Sequence, residues 1–350
     1  MPKRITIKEI AVLANVSKGT VDRVLHNRGE VAQSTREKVL RIAEEGNYAT
    51  NVFARNLKLN RTYRIAIIIP NDSEYWHLQY KGAEMASNEY ESFGVVLKPY
   101  LYDRNKPSSF SSKAKKVLAE KPDGIVLAPI LKKETIALAT ECNQLGIPFL
   151  FVDSNIEGVG ALSFIGQDSF RSGVLSAKLM NYGKIGMPSV FVIVVTAADN
   201  LNKIISERIN GFKKYYFDNY NNEVDIEEIF IENTGIAFEK IAKKLDVMKG
   251  VVHVFIPYSR AHQIAKILQP IKSTKDIRIV GYDLIAENVV YLKNGVIDYL
   301  IHQKPELQSY LAIQSFYKHL ILKQPIENHQ YMPLEIITKE NLDYSNNLFA

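Results

Sequence analysis

The chain has 350 residues, 46% of them hydrophobic and 23% charged, which is enough apolar material for two or three compact units and is the composition of an ordinary globular protein. No apolar run reaches the roughly 18 residues of a membrane span, and the first residues lack the apolar core of a signal peptide, so a cytoplasmic protein without a membrane partner is expected. The one cysteine, Cys142, excludes an internal disulfide and a paired-cysteine metal site and reads as a small buried hydrophobe.

Charge is unevenly spread. Residues 1–60 hold 11 Lys+Arg against 6 Asp+Glu, while the remaining 290 hold 33 against 32. A basic head on a near-neutral body is the pattern of a polyanion-binding unit fused to a unit with another task. In the head, "TIKEIAVLANVS" places Ile7, Ile10, Ala11 and Ala14 at helical spacing behind Thr6, with Glu9 three residues later, which is a capping box. Asn15 tolerates a left-handed turn, Ser17 caps a second helix, and Val21, Val24 and Leu25 form its apolar stripe. Lys18, Gly19, Asp22, Arg23 and His26 fall together on its other side. A third helix from Ser34 to about Glu45 closes the core with Val39, Leu40, Ile42 and Ala43. Two short helices about a tight turn form a helix-turn-helix, whose second helix enters the DNA major groove.

The stretch "TIKEIAVLANVSKGTVDRVLHNRGEVAQSTREKVLRIAEEGNY" resembles the DNA-binding head of the lactose-repressor and galactose-repressor family of bacterial transcription regulators. It departs from the family pattern at Gly19 and at His26–Asn27. The resemblance implies a DNA-facing set of Thr6, Ser17, Lys18, Gly19, Thr20, Asp22, Arg23 and His26. In that set Lys18 and Gly19 sit at base-reading positions, and Arg23 contacts a base or a phosphate. Asp22 either accepts from a cytosine amino group or pairs with Lys18 or His26. Further on, Tyr48, Asn51, Ala54, Arg55 and Leu57 match the family's hinge helix, with Thr50 where proline is usual. By that match Asn51, Arg55 and Leu57 also touch DNA, Leu57 as a wedge in the minor groove. The bare alternative for "NVFARNL" is a linker helix that packs Phe53 and Leu57.

From Arg64 the pattern becomes short apolar runs alternating with amphipathic segments: "RIAIIIP", "GVVLKPYLY", "DGIVLAP", "PFLFVDS", "SVFVIVV", "VVHVFIP" and "IRIVGYD". Repeated strand–helix units predict an α/β body of parallel sheets in two lobes, with a cleft at the strand ends. The body resembles the periplasmic sugar-binding fold of the ribose-binding type, judged by "YWHLQYKGAEMA", "FLFVDSN", "ERINGF", "IVGYD" and "LIHQKPELQ". The resemblance implies that Tyr75 and Trp76 sandwich a ligand and that Asp153, Arg208, Asp283 and Gln303 bond its hydroxyls. Tyr258, with Ser259 and Arg260, stands where such proteins offer asparagine and aspartate. Read without the resemblance, the alternatives are core packing for Trp76, turn residues for the aspartates and a surface charge for Arg208.

The boundaries expected are a head at 1–49, a hinge at 50–62 and a two-lobed body at 63–350. Lobe 1 would take about 63–165 and 304–323, and lobe 2 about 166–303 and 324–345. No nucleophile elbow, zinc-protease or phosphate-loop pattern occurs, and the seven histidines form no ligand pair at helical spacing, so neither an enzyme nor a metal or cofactor is expected. The function expected is that of a homodimeric regulator that binds a pseudo-palindromic operator under the control of a small sugar. The alternative is a sugar-binding receptor with no transcriptional role.

Overall fold

The computed structural model describes residues 5–25, 28–46, 61–183, 189–194, 202–220, 223–230, 241, 243–245, 251–272 and 276–345. The chain divides into two units, Met1–Asn60 and Arg61–Ala350.

The first unit holds α1 (Ile7–Ala14), α2 (Lys18–Leu25) and α3 (Gln33–Glu45). Thr6 and Glu9 close the expected capping box: the Glu9 amide donates to Thr6 Oγ1 at 3.3 Å, and the Thr6 amide donates to Glu9 Oε2 at 2.8 Å. Asn15 ends α1 in the left-handed region (φ 55°), which turns the chain sharply into α2. Ile10, Ala11, Ala14, Val21, Val24, Val39 and Ala43 bury against one another. Leu40, expected in that core, is 46% exposed, because one residue beyond Val39 the helix has rotated about 100° away from it.

The second unit is built on two six-stranded sheets. The first has the order β11-β5-β4-β3-β1-β2, from β1 (Tyr63–Pro70), β2 (Val95–Tyr102), β3 (Gly124–Leu127), β4 (Phe149–Val152), β5 (Phe164–Gly166) and β11 (His329–Tyr331). The second has the order β12-β10-β9-β8-β6-β7, from β6 (Ser189–Val194), β7 (Ile226–Phe230), β8 (Val252–Phe255), β9 (Ile277–Tyr282), β10 (Tyr299–His302) and β12 (Glu335–Ile337). Every pairing is parallel except β10 with β12. All seven expected strands are present. The strand β11 joins the first sheet beside β5, so the return to the second lobe comes after residue 331 and not at 324: the chain leaves its last helix as an edge strand before it crosses.

The helices that place the cleft are α4 (Glu74–Glu89), α5 (Pro107–Glu120), α6 (Lys132–Leu145), α7 (Ser169–Asn181), α8 (Lys203–Tyr220), α9 (Ala261–Lys272), α10 (Ala286–Lys293) and α11 (Pro305–Phe316). The apolar faces of the first sheet pack Ile68, Phe110, Val117, Phe149 and Phe151, with Cys142 fully buried among them. Burial raises the Cys142 thiol to about 12, as a small core hydrophobe requires. In the second lobe α7 and α8 approach through two glycines. A Cβ on Gly173 would lie 2.0 Å from the Arg208 carbonyl oxygen, and one on Gly211 would lie 1.9 Å from that of Phe170. No described helix is long and apolar enough to cross a membrane.

Candidate functional site

The head presents one polar face. Ser17 Oγ accepts from the Thr20 amide at 3.1 Å and lies 2.9 Å from Thr20 Oγ1, so Ser17 and Thr20 together fix the start of α2. Lys18, Gly19 and Arg23 are exposed next to them, Thr20 and Asp22 are half-buried, and Thr6 is exposed at the start of α1. Arg23 Nε donates to the Gly19 carbonyl at 3.3 Å, which draws the guanidinium back along the helix. A Cβ on Gly19 would meet only Ser17 Oγ, at 3.7 Å, an ordinary contact. Nothing among the described residues of the head therefore demands glycine at that position. His26, Asn51, Arg55 and Leu57 lie outside the described residues.

In the second unit, a cavity of about 720 Å³ opens where the carboxyl ends of both sheets meet. This is the place that parallel α/β sheets offer a ligand, because the chain turns over the strand ends in short loops. All seven residues expected to bind a ligand line it: Tyr75, Trp76, Asp153, Arg208, Tyr258, Asp283 and Gln303. Asp153 follows β4 and Asp283 follows β9, the fourth strand built in each lobe. Both hold the left-handed conformation, at φ 68° and 69°, and both donate their amides to the next strand, to Ile165 and Ile301 respectively, at 3.0 Å.

The cavity floor is one hydrogen-bonded network. Tyr75 donates its hydroxyl to Asp153 Oδ1 at 2.5 Å. Arg208 Nη2 donates to Gln303 Oε1 at 2.5 Å and Nη1 to the Pro257 carbonyl at 2.9 Å, while the guanidinium stacks 3.7 Å from the centre of the Tyr282 ring. Gln303 Nε2 in turn donates to Asp283 Oδ2 at 2.7 Å. Two buried atoms of this network, Asp283 Oδ1 and Arg208 Nε, have no partner among the described residues. One is an acceptor and the other a donor, and both have almost no accessible surface. Burial raises both carboxyls, Asp283 to about 7 against the pull of Arg208, and Asp153 against the hydrogen bond from Tyr75.

The aromatic pair departs from expectation. The Tyr75 and Trp76 rings are perpendicular (86°) with centroids 5.0 Å apart, so they form a corner of the wall rather than two plates around a ligand. Consecutive helix residues project about 100° apart, which sets that corner. Sequence reasoning missed Asp72, Arg104 and Glu134, which line the same cavity. It also missed Gln308, whose Oε1 accepts from the Asp153 amide at 3.0 Å and whose Nε2 donates to the Gln303 carbonyl at 2.9 Å. Asp72 and Arg104 follow the ends of β1 and β2, so their places in the loops after predicted strands were the available signal.

Residues 65–324 match the family described as periplasmic binding protein domain, and residues 6–51 match that of bacterial regulatory proteins, lacI family. The chain is 26% identical over 345 residues to the HTH-type transcriptional regulator RegA of Clostridium saccharobutylicum, spanning 96% of this chain and 98% of that protein. It is 26% identical to the ribose operon repressor of Lactococcus lactis, again over 96% and 98%. A solved structure from Bacteroides fragilis, described as a LacI transcriptional regulator, superimposes with a TM-score of 0.73 at 28% identity, covering 82% of this chain and all of that one.

Proposed function

We propose that this chain, which belongs to the periplasmic binding protein domain family and carries a lacI-family head, is a transcription regulator whose operator binding is controlled by a sugar held between its two lobes. The observation that carries the reading is the convergence of seven separately located residues, two carboxyls, an arginine and an amide among them, on one cavity. Each lobe contributes to the grip, so a ligand that binds both lobes favours one arrangement of them over the other. A ligand shifts a two-state equilibrium only through that difference in affinity. On the head, Lys18 and Arg23 on an exposed helix face suit phosphate and base edges, and Gly19 leaves room for the backbone to approach.

A head of three short helices makes few contacts with one half-site, so a homodimer on a pseudo-palindromic operator is the assembly that fits. The ribose operon repressor among its relatives makes pentoses and hexoses the first ligands to test. Footprinting of the full-length protein on its own upstream DNA, with and without a sugar panel, tests the reading. A protected palindrome whose protection changes with one sugar supports it. Sugar binding without any protected sequence would leave a receptor and end the regulator proposal.

A further inference from the structure

The second lobe contributes a cation that the floor network does not use. Arg260 lines the cavity in the loop between β8 and α9, half-buried, and its guanidinium makes no hydrogen bond or ion pair among the described residues. The loop is held firmly. Asn288, fully buried, donates to the Ser259 carbonyl at 2.8 Å and to the carbonyls of Tyr282 and Asp283 at 2.8 and 3.1 Å, and it accepts from the His262 amide at 2.8 Å. Arg260 is therefore fixed to the same frame as Asp283.

Of the other cations that line the cavity, Lys132 stands exposed to solvent at the start of α6. Arg104 is paired with Asp72 at 2.5 Å. Arg208 is committed to Gln303, Pro257 and the Tyr282 ring. Glu134 stands in the first turn of α6, where the helix end favours an acid. Burial raises Asp153 and Asp283, the latter to about 7, and Tyr75 and Gln303 already donate to them. Neutral hydroxyls are served by the carboxyl and amide groups that line the floor. A half-buried guanidinium with five donors in a planar fork calls for a carboxylate or a phosphate.

We propose that the ligand of this cavity is a sugar bearing an anionic group, and that Arg260 receives that group. This rests on the reading of the cleft as a sugar site. Calorimetric titration of the full-length protein tests it, with D-galacturonate and D-glucuronate in one arm, glucose 6-phosphate and fructose 1-phosphate in the other, and the neutral parent sugars as references. At least one acidic sugar is expected to bind about 30-fold or more tightly than its parent, with a preference that shrinks in about 0.5 M salt, and the arm that responds identifies the group. Arg260→Gln is expected to weaken that acidic sugar about 10- to 100-fold and its neutral parent less than about threefold, while Arg260→Lys keeps part of the preference as a point charge without the fork. Equal affinity for acidic and neutral sugars, equal weakening of both by Arg260→Gln, or binding of neutral sugars alone overturns the inference. A neutral sugar that alters operator protection would leave the regulator reading standing while this one falls. Binding of no sugar of either kind would remove both.

Discussion

At the scale of single residues, the buried ionisable groups of the second unit pull stability in opposite directions with pH. Asp283, raised to about 7, is protonated more readily in the fold than in the unfolded chain, so its contribution is present below the ordinary carboxylate range and is lost as pH rises towards 7. His302, lowered to about 4 by burial and by Lys304, is neutral in the fold, so its contribution grows as pH rises from about 4 towards its ordinary value. Asp283→Asn removes only the first effect. Urea melts are expected to show the variant gaining about 1 to 2 kcal/mol relative to the parent between pH 5 and pH 7, and a parallel pH profile would contradict the raised carboxyl. The seven cavity-lining residues were legible in the sequence because most sit in short motifs at strand ends or helix starts. Arg208 was legible only through its motif, since an arginine on a helix is ordinarily exposed, and here it is 3% exposed under the network it anchors. Gln308 was not legible: a glutamine inside a helix signals nothing until tertiary packing brings it beneath Asp153.

At the scale of elements, glycines separate packing from recognition. Gly19 meets no obstacle, so Gly19→Ala is expected to stabilise the head by about 0.5 to 1 kcal/mol through helix propensity, read as slower amide exchange in α2. If the same variant weakens operator binding, the glycine serves the DNA and not the helix; unchanged binding would remove Gly19 from the contact face. Gly173 is the reverse case. A Cβ there collides with the backbone of Arg208, so Gly173→Ala is expected to cost about 1 to 3 kcal/mol and to weaken sugar binding by displacing the guanidinium. Calorimetry and melts of the one variant check both effects together. Seven strands were legible as apolar runs. The strands β5, β11 and β12 were not, because three residues give no periodicity, and β7 was not because "IEEIF" carries its charges at a sheet edge.

At the scale of the whole second unit, the two lobes touch through a helix cap. Glu74 Oε2, at the start of α4 in the first lobe, accepts from the Ala286 amide at the start of α10 in the second, at 3.0 Å. Side-chain caps of this kind contribute about 1 kcal/mol, and this one is made only when the lobes are together. Glu74→Ala is expected to enlarge the ligand-free particle in small-angle scattering and to weaken sugar affinity about fivefold, in line with the loss of that energy. An unchanged scattering profile would show that the cap does not hold the lobes. The two-lobed plan was legible from the number of strand–helix units. The late crossing after β11 was not, because edge pairing is decided by which backbone lies free beside β5.

The two left-handed aspartates carry one more consequence. Asp153 and Asp283 occupy the same station in two sheets of the same strand order, each pinned through its amide to the neighbouring strand. Each lobe thus brings one carboxyl to the cavity, and a ligand that bridges the two, as proposed above, would make the cleft a coincidence detector that registers occupancy only when both carboxyls engage at once. Energies in such a device do not add: once one half is silenced, the other has little left to lose. The double variant Asp153→Asn with Asp283→Asn should therefore weaken binding by clearly less than the sum of the two single losses. A regulator with this arithmetic reports the separation of its lobes, and the ligand serves as its ruler.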